Sequence, residues 1–142
     1  MSKPKLFLDS DIILDVLLER EEFYEASAKL LDLGDSKKIH LFTSSLVAAN
    51  IYYILRKELK SNKKALECLK DLIDIIKVLA VDEEIMRAAM KIGFSDFEDS
   101  IQYIVAKNNG LDYLVSRNKK DFKKADMKIF SADEILEKLE LS

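Results

Sequence analysis

Residues 5–18 read KLFLDSDIILDVLL, and the change of period inside this stretch decides the fold. Lys5 to Asp9 is a short apolar run closed by an acid, the pattern of a strand buried on both faces. From residue 10 to 19 the spacing becomes helical, with Ile12, Ile13, Val16 and Leu17 on one face. A strand passing directly into a helix is the opening unit of a parallel α/β sheet.

The same alternation continues outward. A second helix is expected through Phe23, Ala26, Leu30 and Leu31, stopping near Gly34. Ile39 to Thr43 reads as a strand, and Ser44 or Ser45 can cap a helix carrying Val47, Ile51, Ile54, Leu55 and Leu59. Ser61 opens a helix through Leu66, Leu69, Leu72 and Ile73, followed by a strand from Lys77 to Val81. Asp82 caps a helix that ends at Gly93, and Ser95 to Glu98 has the S-x-x-E form of a capping box for a helix reaching Gly110. Asp112 to Ser116 and Lys128 to Phe130 are the last strands, and Ser131 to Glu134 is a second capping box. All three glycines fall where helices are expected to end in a left-handed residue. The expected architecture is one α/β domain over residues 1–142. It is a three-layer sandwich, with a central, mainly parallel sheet of four or five strands covered by helices on both faces.

Composition agrees. The 142 residues are 49% hydrophobic and 35% charged, with 3 Gly and 1 Pro, which suits a soluble globular chain and disfavours a turn-rich all-β fold. The formal net charge of −3 gives no global attraction to nucleic acid or membrane, so a polyanion needs local basic patches or metal. Cys68, the single cysteine, lies in an apolar helical pattern and is expected to be a buried, inert thiol in a reducing compartment. The apolar run from Leu6 to Leu18 is broken by Asp9, Asp11 and Asp15 and carries no cleavage signature. No run approaches the roughly 20 apolar residues needed to span a bilayer, so a cytoplasmic protein is expected.

Ligands of open α/β sheets bind beyond the carboxyl ends of the strands. The polar residues predicted there are Asp9 and Asp11 after the first strand, Ser44 and Ser45 after the second, and Ser116, Asn118 and Asp121 after the fourth. Asp96 and Asp99 open a helix, where negative charge is favoured. Clustered carboxylates repel unless a proton or cation sits among them, and oxygen-only donors suit magnesium or manganese. Such ions activate water and clamp phosphoryl oxygens, which is the chemistry of phosphodiester hydrolysis.

Plainer roles stand beside these. Asp96 reads equally as a helix cap, Asp11 and Asp15 as surface residues one turn apart, and Asp121 as a solvated loop acid. Asp9 is harder to explain so, because an acid closing a buried strand is costly without a partner. Asn50, on an apolar stripe, either faces a site or is a satisfied core amide. Tyr52 and Tyr53 read as core and rim. Arg56, Lys57, Lys60, Lys63 and Lys64, with Arg117, Lys119, Lys120, Lys123 and Lys124, form either a phosphate-guiding surface or solvated faces. The lone His40 begins a strand far from any nucleophile, so no Ser-His or Cys-His arrangement can be assembled.

Three segments and the final short strand at 128–130 together resemble the PIN-domain family in order and spacing; the segments are LFLDSDIILDVLLER at 6–20, SSLVAANIYYILRK at 44–57 and FSDFEDSIQYIVAKNNGLDYLVSRNKKDF at 94–122. The resemblance covers nearly the whole chain, and FEDSIQ and RNKKDF are its most specific parts. It implies a magnesium- or manganese-dependent ribonuclease. Many short members are VapC-like toxins of bacterial toxin–antitoxin pairs, inhibited by a cognate antitoxin and often dimeric. By motif, Asp9 matches the first metal-binding acid and Asp99 the acid opening a late helix, with Asp96 as neighbour. Asn50 stands where the family usually has Glu and Asn118 where it usually has a fourth acid, with Asp121 just behind. Asp11 replaces the usual Asn, and Ser116 precedes the late loop. Two of four familiar acids are therefore amides, which implies weak metal binding. Arg56, Arg117, Lys119 and Lys120 are the expected RNA contacts.

Two rival readings carry different expectations. LDSDI, IHLFTS and the pair Asp96/Asp99 imitate the haloacid dehalogenase phosphatases, although the late pair here is predicted to follow a helix. A PIN-like scaffold short of acids could instead bind RNA or a protein partner without cutting. Manganese binding separates an active nuclease from such a scaffold.

Overall fold

The computed structural model describes residues 2–94, 96–122 and 126–139. Leu6, Phe7 and Leu8 are fully buried because β1 (Lys5–Leu8) is the middle of the sheet. Its neighbours are β2 (His40–Ser44) and β4 (Tyr113–Val115), with β3 (Lys77–Leu79) and β5 (Ile129–Phe130) at the edges, in the order β3-β2-β1-β4-β5. Every pairing is parallel, with Phe7 opposite both Phe42 and Leu114. The chain moves one way from β1 through β2 to β3, then crosses back to β4. The gap between β1 and β4 is therefore the switch point of the sheet, where a crevice opens at the carboxyl edge.

The helices are α1 (Ser10–Leu17), α2 (Tyr24–Asp35), α3 (Ser45–Leu59), α4 (Asn62–Ile75), α5 (Glu83–Ile92), α6 (Phe97–Asn108) and α7 (Ala132–Lys138). Helices α1 to α4 pack on one another, α7 joins α2, and α5 pairs with α6, which crosses β2 and β4. Crossovers running in opposite directions along the sheet, each right-handed, place helices on both faces. The three-layer expectation holds, with five strands.

The boundaries differ from the expected ones for local reasons. β1 stops at Leu8 because Asp9 leaves the ladder to cap α1, its Oδ1 accepting from the Ser10 N–H at 2.8 Å. β3 stops at Leu79 because the Val81 N–H turns to the Ser45 hydroxyl at 3.1 Å. Ser44 both ends β2 and caps α3, accepting from the Val47 N–H. The second capping box, Ser131 with Glu134, forms as expected. The first does not take the expected form. Ser95 lies outside the described residues, and Asp96 is the cap of α6, accepting from the Asp99 N–H at 3.1 Å.

Gly93 and Gly110 adopt the expected left-handed conformation, with φ of 75° and 64°. Gly34 does not: it lies inside α2, where a Cβ would run into the side chain of Leu41 on β2. Its role is close approach of helix to sheet. Lys60, with φ 53°, ends α3 in place of a glycine. Ile54, Leu66 and Ile73, expected on buried faces, are exposed, and Cys68 is half-buried.

Candidate active site

Asp9 sits at the carboxyl end of the central strand, 7% exposed. Its backbone N–H still reaches across to the Val115 carbonyl at 3.0 Å, so the residue is fixed between β1 and β4. The Ser116 hydroxyl, just past β4, donates to Asp9 Oδ2 at 3.0 Å and accepts from the Asn118 N–H at 3.0 Å. Both oxygens of Asp9 are thus oriented, one by a main-chain and one by a side-chain donor.

Burial pushes the Asp9 carboxyl up to about 6, and the charge of Asp11 adds to the rise. The Ser10 and Ser116 donors pull the other way, and Asp96 contributes a small further rise, which brings α6 into the same field. Asp11 is also raised, first by burial, against the pull of the Arg117 N–H and guanidinium. One Asp11 oxygen, Oδ2, accepts from the Arg117 N–H at 2.9 Å, while Oδ1 is buried without a hydrogen-bond partner. Two adjacent acids that resist ionisation, one with an orphaned buried oxygen, have the chemistry of a cation site.

From the other side, α6 brings Asp99, 8% exposed, and the exposed Asp96. The Ser44 hydroxyl donates to the buried Gln102 Oε1 at 2.7 Å, fixing the register of α6 against the end of β2. Asn50 is half-buried on α3 and donates its amide to Glu98 Oε1 at 3.4 Å, so it is neither a core amide nor alone at its position. Glu98 was not singled out by the sequence, because it reads as part of a cap.

Asp15 overturns its surface reading. It is fully buried in α1, and Arg117 and Arg20 both bond to it, at 2.9 Å and 3.3 Å for the shortest contacts. Its position three residues after the buried Ile12 is the sequence signal that could have found it. The expected RNA contacts divide accordingly. Arg117 is committed to Asp15 and Lys119 is ion-paired with Glu134, whereas Lys120 is exposed and Arg56 lies over the Tyr53 ring at 5.6 Å. Asn118 is exposed, and Asp121 lies in a short 3-10 turn (Lys119–Phe122), its side chain outside the described residues.

Among the described residues, no three His, Cys, Asp or Glu side chains converge closely enough to hold an ion by themselves. The donors present are carboxylate and amide oxygens, which fit a hard divalent cation that keeps several waters and shares a substrate oxygen. His40, the only histidine, pairs with Lys5 at the opposite, amino edge of the sheet.

Known proteins share this fold. A ribonuclease named VapC1 from Aquifex aeolicus (strain VF5) is 29% identical over 143 residues, covering 97% of each chain. The DNA-bound VapBC structure from Salmonella typhimurium superposes with a TM-score of 0.70 at 18% identity, over 91% of this chain and 98% of that one. VapBC2 from Rickettsia felis, bound to a fragment of its promoter DNA, gives 0.68 at 16% identity, over 89% and 97%. A family model for the PIN domain matches residues 5–120, from β1 past β4, a span that includes Asp9, Asp11, Asp15, Asp96, Glu98 and Asp99. The chain belongs to the PIN-domain family.

Proposed function

We propose that this chain is a divalent-metal-dependent endoribonuclease, the toxin of a cytoplasmic toxin–antitoxin pair, with RNA as substrate, an antitoxin protein as partner and a homodimer as its assembly. The observation that carries the reading is Asp9, a buried carboxylate raised to about 6 beside Asp11 and within the field of Asp96, at the switch point of the sheet. The full-length likeness to a ribonuclease supports the substrate class. Likeness to VapBC complexes supports the antitoxin partner. No helix among the described residues is long and apolar enough to cross a membrane.

In this reading Asp9 and Asp99 hold a magnesium or manganese ion, with Asp96 close by and Asn50 and Asn118 at its margin. When bound, the ion supplies an activated water and neutralises charge on the phosphoryl oxygens. Ser116 and the Ser10 N–H fix the orientation of Asp9, and ionised Asp9 is the form the ion requires. The Ser44 hydroxyl is occupied by Gln102, the Ser116 hydroxyl by Asp9, and His40 lies at the far edge, so no Ser-His pair is assembled at the site among the described residues. Lys120 and Arg56 remain to meet a phosphate backbone. Purified protein incubated with structured RNA and manganese should cut slowly, and both chelator and Asp9→Asn should abolish the cutting. Cleavage that survives either treatment overturns the reading.

A second reading, a PIN scaffold that binds RNA or a partner without cutting, is favoured by one observation: no three acids converge among the described residues. Manganese that neither stabilises the protein nor promotes cleavage would favour it. A phosphatase of the haloacid dehalogenase type is disfavoured, because Asp96 and Asp99 follow α5 and not a strand.

A further inference from the structure

Arg117 leaves β4 one residue after Ser116 and turns its side chain back across α1. Its Nε donates to Asp15 Oδ2 at 3.1 Å and its Nη2 to Asp15 Oδ1 at 2.9 Å. The guanidinium carbon lies 3.9 Å from the centre of the Phe23 ring, which closes one face of the fork. The main-chain N–H of the same residue donates to Asp11 Oδ2 at 2.9 Å. One residue is therefore fastened to α1 at both ends, through two acids a helical turn apart. The residues beside it carry the contacts of the site: Ser116 donates to Asp9, and the Asn118 N–H donates to Ser116.

We propose that the Asp15–Arg117 pair is a positioning device that holds residues 116–118 against Asp9 and Asp11, and that Arg117 acts through α1 and does not contact the RNA. Its functional consequence rests on the metal-dependent nuclease reading; its geometry does not. Asp15 is fully buried and costly unless paired, whereas the Arg117 side chain stays 31% exposed, so the pair adds little net stability and fixing a geometry is its better-attested use. Arginine suits the task because its planar fork meets both carboxylate oxygens at once, which a lysine ammonium cannot do. Arg20, the second cation on Asp15, makes one side-chain bond at 3.3 Å to Asp15 Oδ1 and adds charge without the two-pronged fork of Arg117.

The test uses the full chain with Arg117→Lys, which keeps a cation beside Asp15, and Asp15→Asn, which removes the fork's acceptor charge. Both should weaken manganese affinity by titration calorimetry, and lower kcat on RNA, by about 10-fold, the usual loss when a group orienting a metal ligand is removed. KM for RNA and its salt dependence should not change. An Arg117→Lys protein with unaltered kcat and manganese affinity but a higher KM or a shallower salt slope makes Arg117 an RNA contact and overturns the proposal. If the wild-type protein neither binds manganese nor cuts RNA, the nuclease reading fails by itself, and amide hydrogen exchange then decides the positioning role. The Arg117 N–H should exchange about 10-fold faster in both variants while the β1 amides keep their rates. Unchanged exchange at Arg117 overturns the proposal, even should Asp15→Asn prove too unstable to measure, because Arg117→Lys alone decides it.

Discussion

Asn50 on α3 and Glu98 on α6 meet side chain to side chain, amide Nδ2 to carboxylate Oε1 at 3.4 Å. The contact joins the two helices that flank the carboxyl edge of the sheet, and it puts one acid where two would repel. Asn50→Glu sets a second carboxylate against Glu98. Without metal, the like charges should cost roughly 0.5 kcal/mol, the scale of exposed charge pairs. With metal, the added charge should tighten manganese binding by roughly 1 kcal/mol or more if the ion is contacted directly. Thermal melts with and without manganese would therefore move in opposite directions relative to wild type. If neither melt moves, position 50 does not face the ion.

Asp9 makes stability depend on pH in the sense opposite to an ordinary surface acid. Its carboxyl is raised from 3.8 to about 6 in the folded chain. The folded state therefore binds the proton more tightly, and this contribution is fully present below pH 3.8 and lost as pH rises through about 6. The size is roughly 3 kcal/mol at neutral pH. Asp9→Asn removes the penalty while keeping a residue that can cap α1. It should be more stable than wild type at pH 7.5 and gain nothing near pH 4. A stability advantage that is the same at both pH values would mean that Asp9 titrates normally.

Gly34→Ala separates helix propensity from packing. In a free helix, alanine gains about 1 kcal/mol over glycine. Here the new Cβ would run into Leu41, which is 3% exposed and has little room to move. Overpacking of this kind costs about 1–3 kcal/mol, so a net loss of stability is expected. Gly110→Ala meets nothing within 4 Å and should lose only the conformational cost of φ +64°, on the order of 1 kcal/mol. Denaturant melts of the two variants compare the two costs. A Gly34→Ala protein more stable than wild type would mean that Leu41 yields.

The sequence carried the sheet because each strand has one period and each helix another. KLFLD turning into SDIILDV placed β1, its buried triplet and the acid that follows. Asp9 was legible for the same reason: a charged residue ending a fully buried strand has no cheap explanation. What stayed hidden depends on partners distant in the chain. Asp15 looks like a surface acid until Arg117, 102 residues later, is seen to bond to it. Gly34 looks like a helix stop because its contact, Leu41, lies on another element. Arg117 and Lys119 look like phosphate contacts because a cation's partner is invisible in a one-dimensional charge pattern, whereas the structure gives both to acids. Glu98 escaped because a capping-box glutamate usually folds back on its own helix, and here it reaches toward α3.

The acids themselves can be tested without disturbing the helices they begin. Asp9 caps α1 and Asp96 caps α6, and asparagine caps about as well as aspartate, so Asp→Asn removes charge and leaves the cap. Manganese at ten times its dissociation constant should stabilise the wild-type chain by roughly 1.4 kcal/mol, a few degrees in Tm for a chain of this length. Asp9→Asn and Asp99→Asn should each remove that shift. Asp96→Asn should only reduce it, because Asp96 is exposed and perturbs Asp9 least of the groups named. Since protons compete with the ion for Asp9, the wild-type shift should also shrink as pH falls below about 6. Should Asp9→Asn and Asp99→Asn both keep the full manganese shift, the ion is bound elsewhere, and the carboxyl edge between β1 and β4 is not the metal site.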